Sequence, residues 1–160
     1  MKQTYRVVSG LVALGVLVQA ASVSFGWFEA ISQVGKGLVI DGKYQGNAGH
    51  AVHGVVGMYV MPLLGLILLI VSFFVAKAVP GARKWAGIVL GLIVLQVALG
   101  MFAFGLPWLG ALHGINALAV FATAGRASQL TRTGQGSGGW AARLPRQRGR
   151  KSSSDTSLPV

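Results

Sequence analysis

The stretch Ala51–Ala76 reads AVHGVVGMYVMPLLGLILLIVSFFVA and contains no Asp, Glu, Lys or Arg. As a helix it would extend about 39 Å at 1.5 Å per residue, more than the roughly 30 Å of a bilayer's hydrocarbon core. It therefore reads as a membrane span, over about 50–76, with Pro62 expected to kink it and Lys77 and Pro80-Gly81 closing it. Upstream, Val7 to Phe28 is free of charge between Arg6 and Glu29. This run predicts a span over 7–28. It is longer than the apolar part of a cleavable leader, and no small-residue cleavage site precedes Glu29, so a retained span is expected. Downstream, Trp85 to Leu106 predicts a third span over 85–106. Pro107-Trp108 turns the chain into a fourth over 109–125, stopped at Arg126.

Composition agrees with this reading. Across 160 residues, 53% are hydrophobic, 11% are charged, and mean hydropathy is +0.64, which does not describe a soluble globule of this length. With no cysteine there is no disulfide, and no phosphate-loop pattern or zinc-ligand spacing is present. The net charge of +11 could suggest nucleic acid, but 7 of the 14 Lys and Arg lie after residue 125. The apolar body is left nearly uncharged, and no nucleic-acid partner is expected. The expected fold is all-α: a transmembrane four-helix bundle, up-down-up-down, over residues 1–128.

Charge also predicts the direction. Lys2, Arg6, Lys77, Arg83, Lys84, Arg126 and the remaining C-terminal charges fall on one side of such a bundle, whereas Glu29, Asp41, Lys36 and Lys43 of the first link cancel. The positive side is cytoplasmic by the charge rule, so both termini are expected inside. Residues 129–160, rich in Ser, Thr, Gly, Gln and Arg, predict a disordered basic cytoplasmic tail. Within it Arg143, Arg146, Arg148, Arg150 and Lys151 would lie against anionic head groups of the bilayer at about 1 kcal/mol per charge.

Spans one and three share a pattern, Gly15-Val-Leu-Val-Gln19-Ala-Ala against Gly91-Leu-Ile-Val-Leu-Gln96-Val-Ala, with Phe25 and Phe102 each six residues past the glutamine. Spans two and four share His53-Gly54 and His113-Gly114. A duplicated helical hairpin is the simplest account.

Ionisable groups within a span are costly and are functional candidates by default. Here they are His53 and His113, on helices that run the same way and at similar depth, so that they can face each other. Small residues follow on the same faces: Gly57 after His53, Ala117 after His113, Ser22 and Gly26 after Gln19, Gly100 and Ala103 after Gln96. A neutral imidazole is a suitable ligand for haem iron, and its second nitrogen then needs an acceptor, for which Gln19, Gln96, Asn116 or a backbone carbonyl could serve. One b-type haem with His53 and His113 as axial ligands fits this arrangement. His50 lies three residues before His53 on the same face but nearer water, outside the ligand pair. Two other readings stand beside it: histidines that merely bridge helices by hydrogen bonds, and a transition metal held by His50, His53 and His113. Met58, Met61 and Met101 read as packing.

The series Val18-Gln19-Ala20-Ala21, Gly49-His50-Ala51-Val52-His53-Gly54-Val55-Val56-Gly57, Val94-Leu95-Gln96-Val97-Ala98-Leu99-Gly100 and Leu112-His113-Gly114-Ile115-Asn116-Ala117 resembles a functionally uncharacterised family of small four-helix bacterial integral membrane proteins, over about residues 5 to 128. More distantly it resembles one four-helix half of haem A synthase. That resemblance implies His53 and His113 as haem ligands and Gln96 to Gly100 as a packing motif. The synthase has two such units, a catalytic carboxylate where this chain has His50, and a loop cysteine pair that this chain lacks. Oxidation of a haem methyl is therefore not carried over, while electron transfer or haem handling stays open. The expected location is the bacterial cytoplasmic membrane, with a respiratory component or another membrane protein as partner. The competing class is an accessory or scaffold subunit of a larger membrane complex, without cofactor.

Overall fold

The computed structural model describes residues 1–133, and among these it contains helices and no strand. Helix α1 is Lys2–Val34 and α2 is Ala48–Val55; a π-helical turn, Val56–Val60, leads into α3, Met61–Val75. Then come α4, Ala82–Phe102, and α5, Trp108–Thr133. Because α2, the π turn and α3 form one continuous rod, four helices among the described residues are long and apolar enough to cross a membrane. Helix α1 packs on α2 and α3, α3 on α4, α4 on α5, and α5 back on α1, which closes the ring of an up-down-up-down bundle. The end that carries the long link 35–47 is called distal below, and the opposite end, with Lys77, Arg83 and Arg126, basal.

Burial follows the logic of a helix bundle in lipid. Small and β-branched side chains fill the interior, among them Val12, Val75, Val89, Val120 and Ala124, whereas Phe73, Phe74, Phe102 and Phe104 point outward, Phe104 being 96% exposed. Hydrocarbon tails solvate phenylalanine as well as a protein core does, so close packing of small residues decides what goes inside. A close backbone approach joins α1 to α2. A Cβ added at Gly49 would lie 2.5 Å from the backbone nitrogen of Gly26 and 2.6 Å from the carbonyl oxygen of Ser22. Glycine at this crossing lets the two backbones touch.

The π turn answers the proline. Pro62 offers no N–H, and its ring crowds the carbonyl four residues before it. The preceding turn widens, and the Met61 N–H donates to the carbonyl of Val56 five residues back. The rod continues through Pro62 instead of ending there.

The helix ends differ from several expected boundaries. Helix α1 begins at Lys2 and runs to Val34 rather than spanning 7–28. Its basal end is anchored by the buried Tyr5 hydroxyl, which donates to the carbonyl of Ala82 at 3.0 Å. Helix α4 stops at Phe102 rather than 106, where the turn before Pro107 begins. Helix α5 passes Arg126 and reaches Thr133, so residues 129–133, expected to be disordered, are helical. Arg126 sits over the Trp85 ring at 6.0 Å, Ala127 is fully buried, and Leu130 packs on the core, which carries the helix two turns beyond the charge that was read as its stop. The rest of the expected tail, including Arg143 to Lys151, lies outside the described residues.

Candidate functional site

His53 projects from α2 and His113 from α5, and their ring centroids lie 6.2 Å apart with planes at 58°. Each ring is oriented from the neighbouring helix in the same way. His53 Nδ1 lies 3.0 Å from the carbonyl oxygen of Gln19 on α1, and His113 Nδ1 lies 3.0 Å from the carbonyl oxygen of Gln96 on α4. A carbonyl oxygen can only accept, so in both rings Nδ1 carries the proton and donates it. Both Nε2 atoms are left with a free lone pair, the form in which imidazole binds a metal.

Behind these bonds the two halves differ. On the His113 side, the Asn116 amide donates both to the side-chain oxygen of Gln96 at 2.7 Å and to the carbonyl of Leu92 at 2.9 Å. Gly100 lies directly against the ring: a Cβ there would come 3.1 Å from His113 Cε1 and 3.2 Å from Nδ1. On the His53 side the Gln19 amide reaches toward Gly57, where a Cβ would come 3.0 Å from its oxygen. Its nitrogen is buried with no hydrogen-bond partner.

Cavities flank the histidine pair along the bundle axis. A basal one of about 450 Å³ is walled by Val16, Met61, Ile93, Ala117 and Phe121. A distal one of about 400 Å³ is walled by Trp27, His50, Met58, Met101 and Phe104. His53, His113, Gln19, Gln96 and Gly57 border both. Each has the size of a small-molecule or cofactor site.

His50 is not brought to the pair as a third ligand. Asn47 caps α2, its side-chain oxygen accepting from the N–H groups of Gly49 and His50, and His50 Nδ1 accepts the Asn47 N–H in return at 3.3 Å. This is a capping box with histidine in the place of the usual glutamate or glutamine. The ring is gripped edge-on by Trp27 at 5.0 Å and Tyr44 at 6.2 Å. Among the described residues, no group of three His, Cys, Asp or Glu side chains is placed to hold a metal ion.

The donor set fits a haem between α2 and α5. With metal–imidazole bonds of about 2.0 Å and ring atoms about 1.15 Å from the centre of a ring with bonds near 1.33 Å, two imidazoles sharing one metal have centroids roughly 6.3 Å apart. The observed centroid separation of 6.2 Å is of that length. Tilted planes are no obstacle, since each ring can turn about its own metal bond. The open space above and below the pair, and the unpartnered Gln19 nitrogen beside it, are what a flat ligand between the rings requires.

The reading from sequence brought together His53, His113, Gln19, Gln96, Asn116 and Gly57, and the structure places all six around one point. Of the acceptors considered for the second ring nitrogen, the backbone carbonyls of Gln19 and Gln96 serve, not the side-chain amides. The Asn47–His50 cap and the Trp27 contact were missed. The Asn-x-x-His spacing ahead of an apolar run was the signal for the cap, obscured because histidine rarely fills that position. Comparison with known protein families, curated proteins and solved structures gives no match to this chain.

Proposed function

We propose that this multi-pass membrane protein holds one haem b between α2 and α5, with His53 and His113 as axial ligands, and serves electron transfer or haem handling. The observation that carries the reading is the pair of Nδ1 hydrogen bonds to the carbonyls of Gln19 and Gln96, which leave two Nε2 lone pairs on rings spaced for one iron. A haem held by two imidazoles supplies a one-electron ferric/ferrous couple. The chain contributes the rest. The Gln19 and Gln96 carbonyls fix tautomer and ring direction and raise ligand basicity. Val16, Met61, Ile93 and Phe121 keep water from one face of the site. We also propose kinship with the small four-helix bacterial membrane proteins and the haem A synthase half that the quoted motifs resemble.

The proposed location is the bacterial cytoplasmic membrane, with the basal end inside. Lys2, Arg6, Lys77, Arg83, Lys84, Arg126 and Arg132 are basal, against a distal end where Glu29 and Asp41 offset Lys36 and Lys43. A respiratory component is the partner proposed for electron exchange.

The test is optical. Detergent-purified protein should show a reducible Soret and α band of low-spin, six-coordinate haem. His53→Ala or His113→Ala should lose the cofactor or turn it high-spin. Protein with no chromophore after expression in haem-replete cells sinks the reading and favours the cofactor-free accessory subunit. Reporter fusions at residue 40 and at residue 128 should report from outside and inside respectively.

A further inference from the structure

Beside the distal cavity lies a buried polar donor with nothing to donate to. His50 Nδ1 accepts the Asn47 N–H, so the neutral ring carries its proton on Nε2. That nitrogen is buried and has no hydrogen-bond partner. The ring cannot easily turn to find one. Trp27 and Tyr44 hold it edge-on, and Gly26 and Gly46 close on its Nδ1 side, where a Cβ at either position would come 3.0 Å from His50 atoms. Buried donors are nearly always satisfied, and one that is not invites a missing acceptor. His50 borders the same cavity as His53 and His113. The basal cavity has no second polar wall: away from the histidine level it is bounded by Val16, Met61, Ile93, Val120 and Phe121.

Haem b is itself two-sided, with an apolar edge and an edge bearing two carboxylates. We propose that the carboxylate edge lies in the distal cavity and that His50 Nε2–H donates a hydrogen bond to one of these carboxylates, while the apolar edge fills the basal cavity. His50 then decides which way round the macrocycle sits, in addition to capping α2. This assignment rests on the haem reading above. It gives the cap's histidine a task that a glutamate in the same box could not perform, since glutamate would repel the carboxylate.

The experiment titrates full-length, haem-depleted protein with haem b and, separately, with its dimethyl ester, which keeps the macrocycle and iron but removes the carboxylate charge. Wild type, His50→Ala and His50→Glu are compared. Glutamate preserves the capping box and has no proton to donate, so a folding defect in the alanine variant does not decide the result. His50→Ala should weaken haem b binding about tenfold, the scale of one charge-assisted hydrogen bond, and His50→Glu by at least as much. Ester binding should be unchanged and all spectra should remain low-spin. Equal weakening of haem and ester in His50→Glu, or no weakening of either, overturns the edge assignment while wild-type low-spin spectra leave the haem reading standing. Absence of a low-spin complex in wild type overturns both.

Discussion

The hairpin of α1 with α2 and the hairpin of α4 with α5 hold their histidines by one device and back it by different ones. In each, a ring nitrogen donates to the carbonyl of a glutamine one helix away, at the same 3.0 Å. In the second hairpin the glutamine side chain is tied down by Asn116, and Gly100 fits against the ring. The first hairpin has Val56 where Asn116 would correspond, a Gln19 amide with a buried, unpartnered nitrogen, and a π turn starting three residues past the histidine. The bond that sets the tautomer is common to both, whereas rigidity is invested in the His113 side. Under the proposed haem reading, such a site would have one fixed ligand and one that adjusts as the haem seats.

Six substitutions break or sharpen this contrast. The largest effect is expected at the α1–α2 crossing. In Gly49→Val the new side chain meets the backbone of Gly26 and Ser22, which cannot step aside, and about 3 kcal/mol of stability should be lost. A thermal melt in detergent reads it, and the His53 spectral contribution should fail with it.

The next test compares Gly100→Ala with Gly57→Ala. The first presses a methyl on a ring fixed by its hydrogen bond, while the second meets the end of a side chain free to swing. Gly100→Ala should cost about 1–2 kcal/mol and disturb low-spin ligation, whereas Gly57→Ala should be near neutral. Equal effects would mean that the two histidines are held with equal stiffness. A smaller change is expected from Asn116→Leu, which makes the second hairpin resemble the first. Loss of its hydrogen bonds to Gln96 and Leu92 should cost about 1 kcal/mol, as interhelical hydrogen bonds in membranes do. His113 should remain a ligand.

Smallest of all should be Gly54→Ala and Gly114→Ala. The glycine after each histidine has open space where a Cβ would go, so these changes should leave ligation intact and stabilise by up to about 1 kcal/mol through helix propensity. A large loss at either would reveal a ligand or partner occupying that space.

The sequence was sufficient for the four spans and for bringing His53 near His113, for a simple reason. Transfer of apolar side chains to hydrocarbon and the asymmetry of Lys and Arg act residue by residue, so they can be read along a line. Helical spacing likewise tells which residues share a face. It does not tell how far each helix is rotated about its axis or where two axes cross. Those follow from close approaches such as Gly26 on Gly49, and they decided that backbone carbonyls rather than the Gln19 and Gln96 amides receive the ring protons. The same is true of helix ends. Arg126 reads as a stop along the line, yet α5 continues because Trp85 receives the arginine and Ala127 and Leu130 find the core. His50 shows the difference in one residue: its spacing put it on the face of His53, while its partners, Asn47 and Trp27, belong to the cap and to a neighbouring helix. Contacts between segments far apart in the chain set a side chain's hydrogen bonds, and only the packed bundle supplies them.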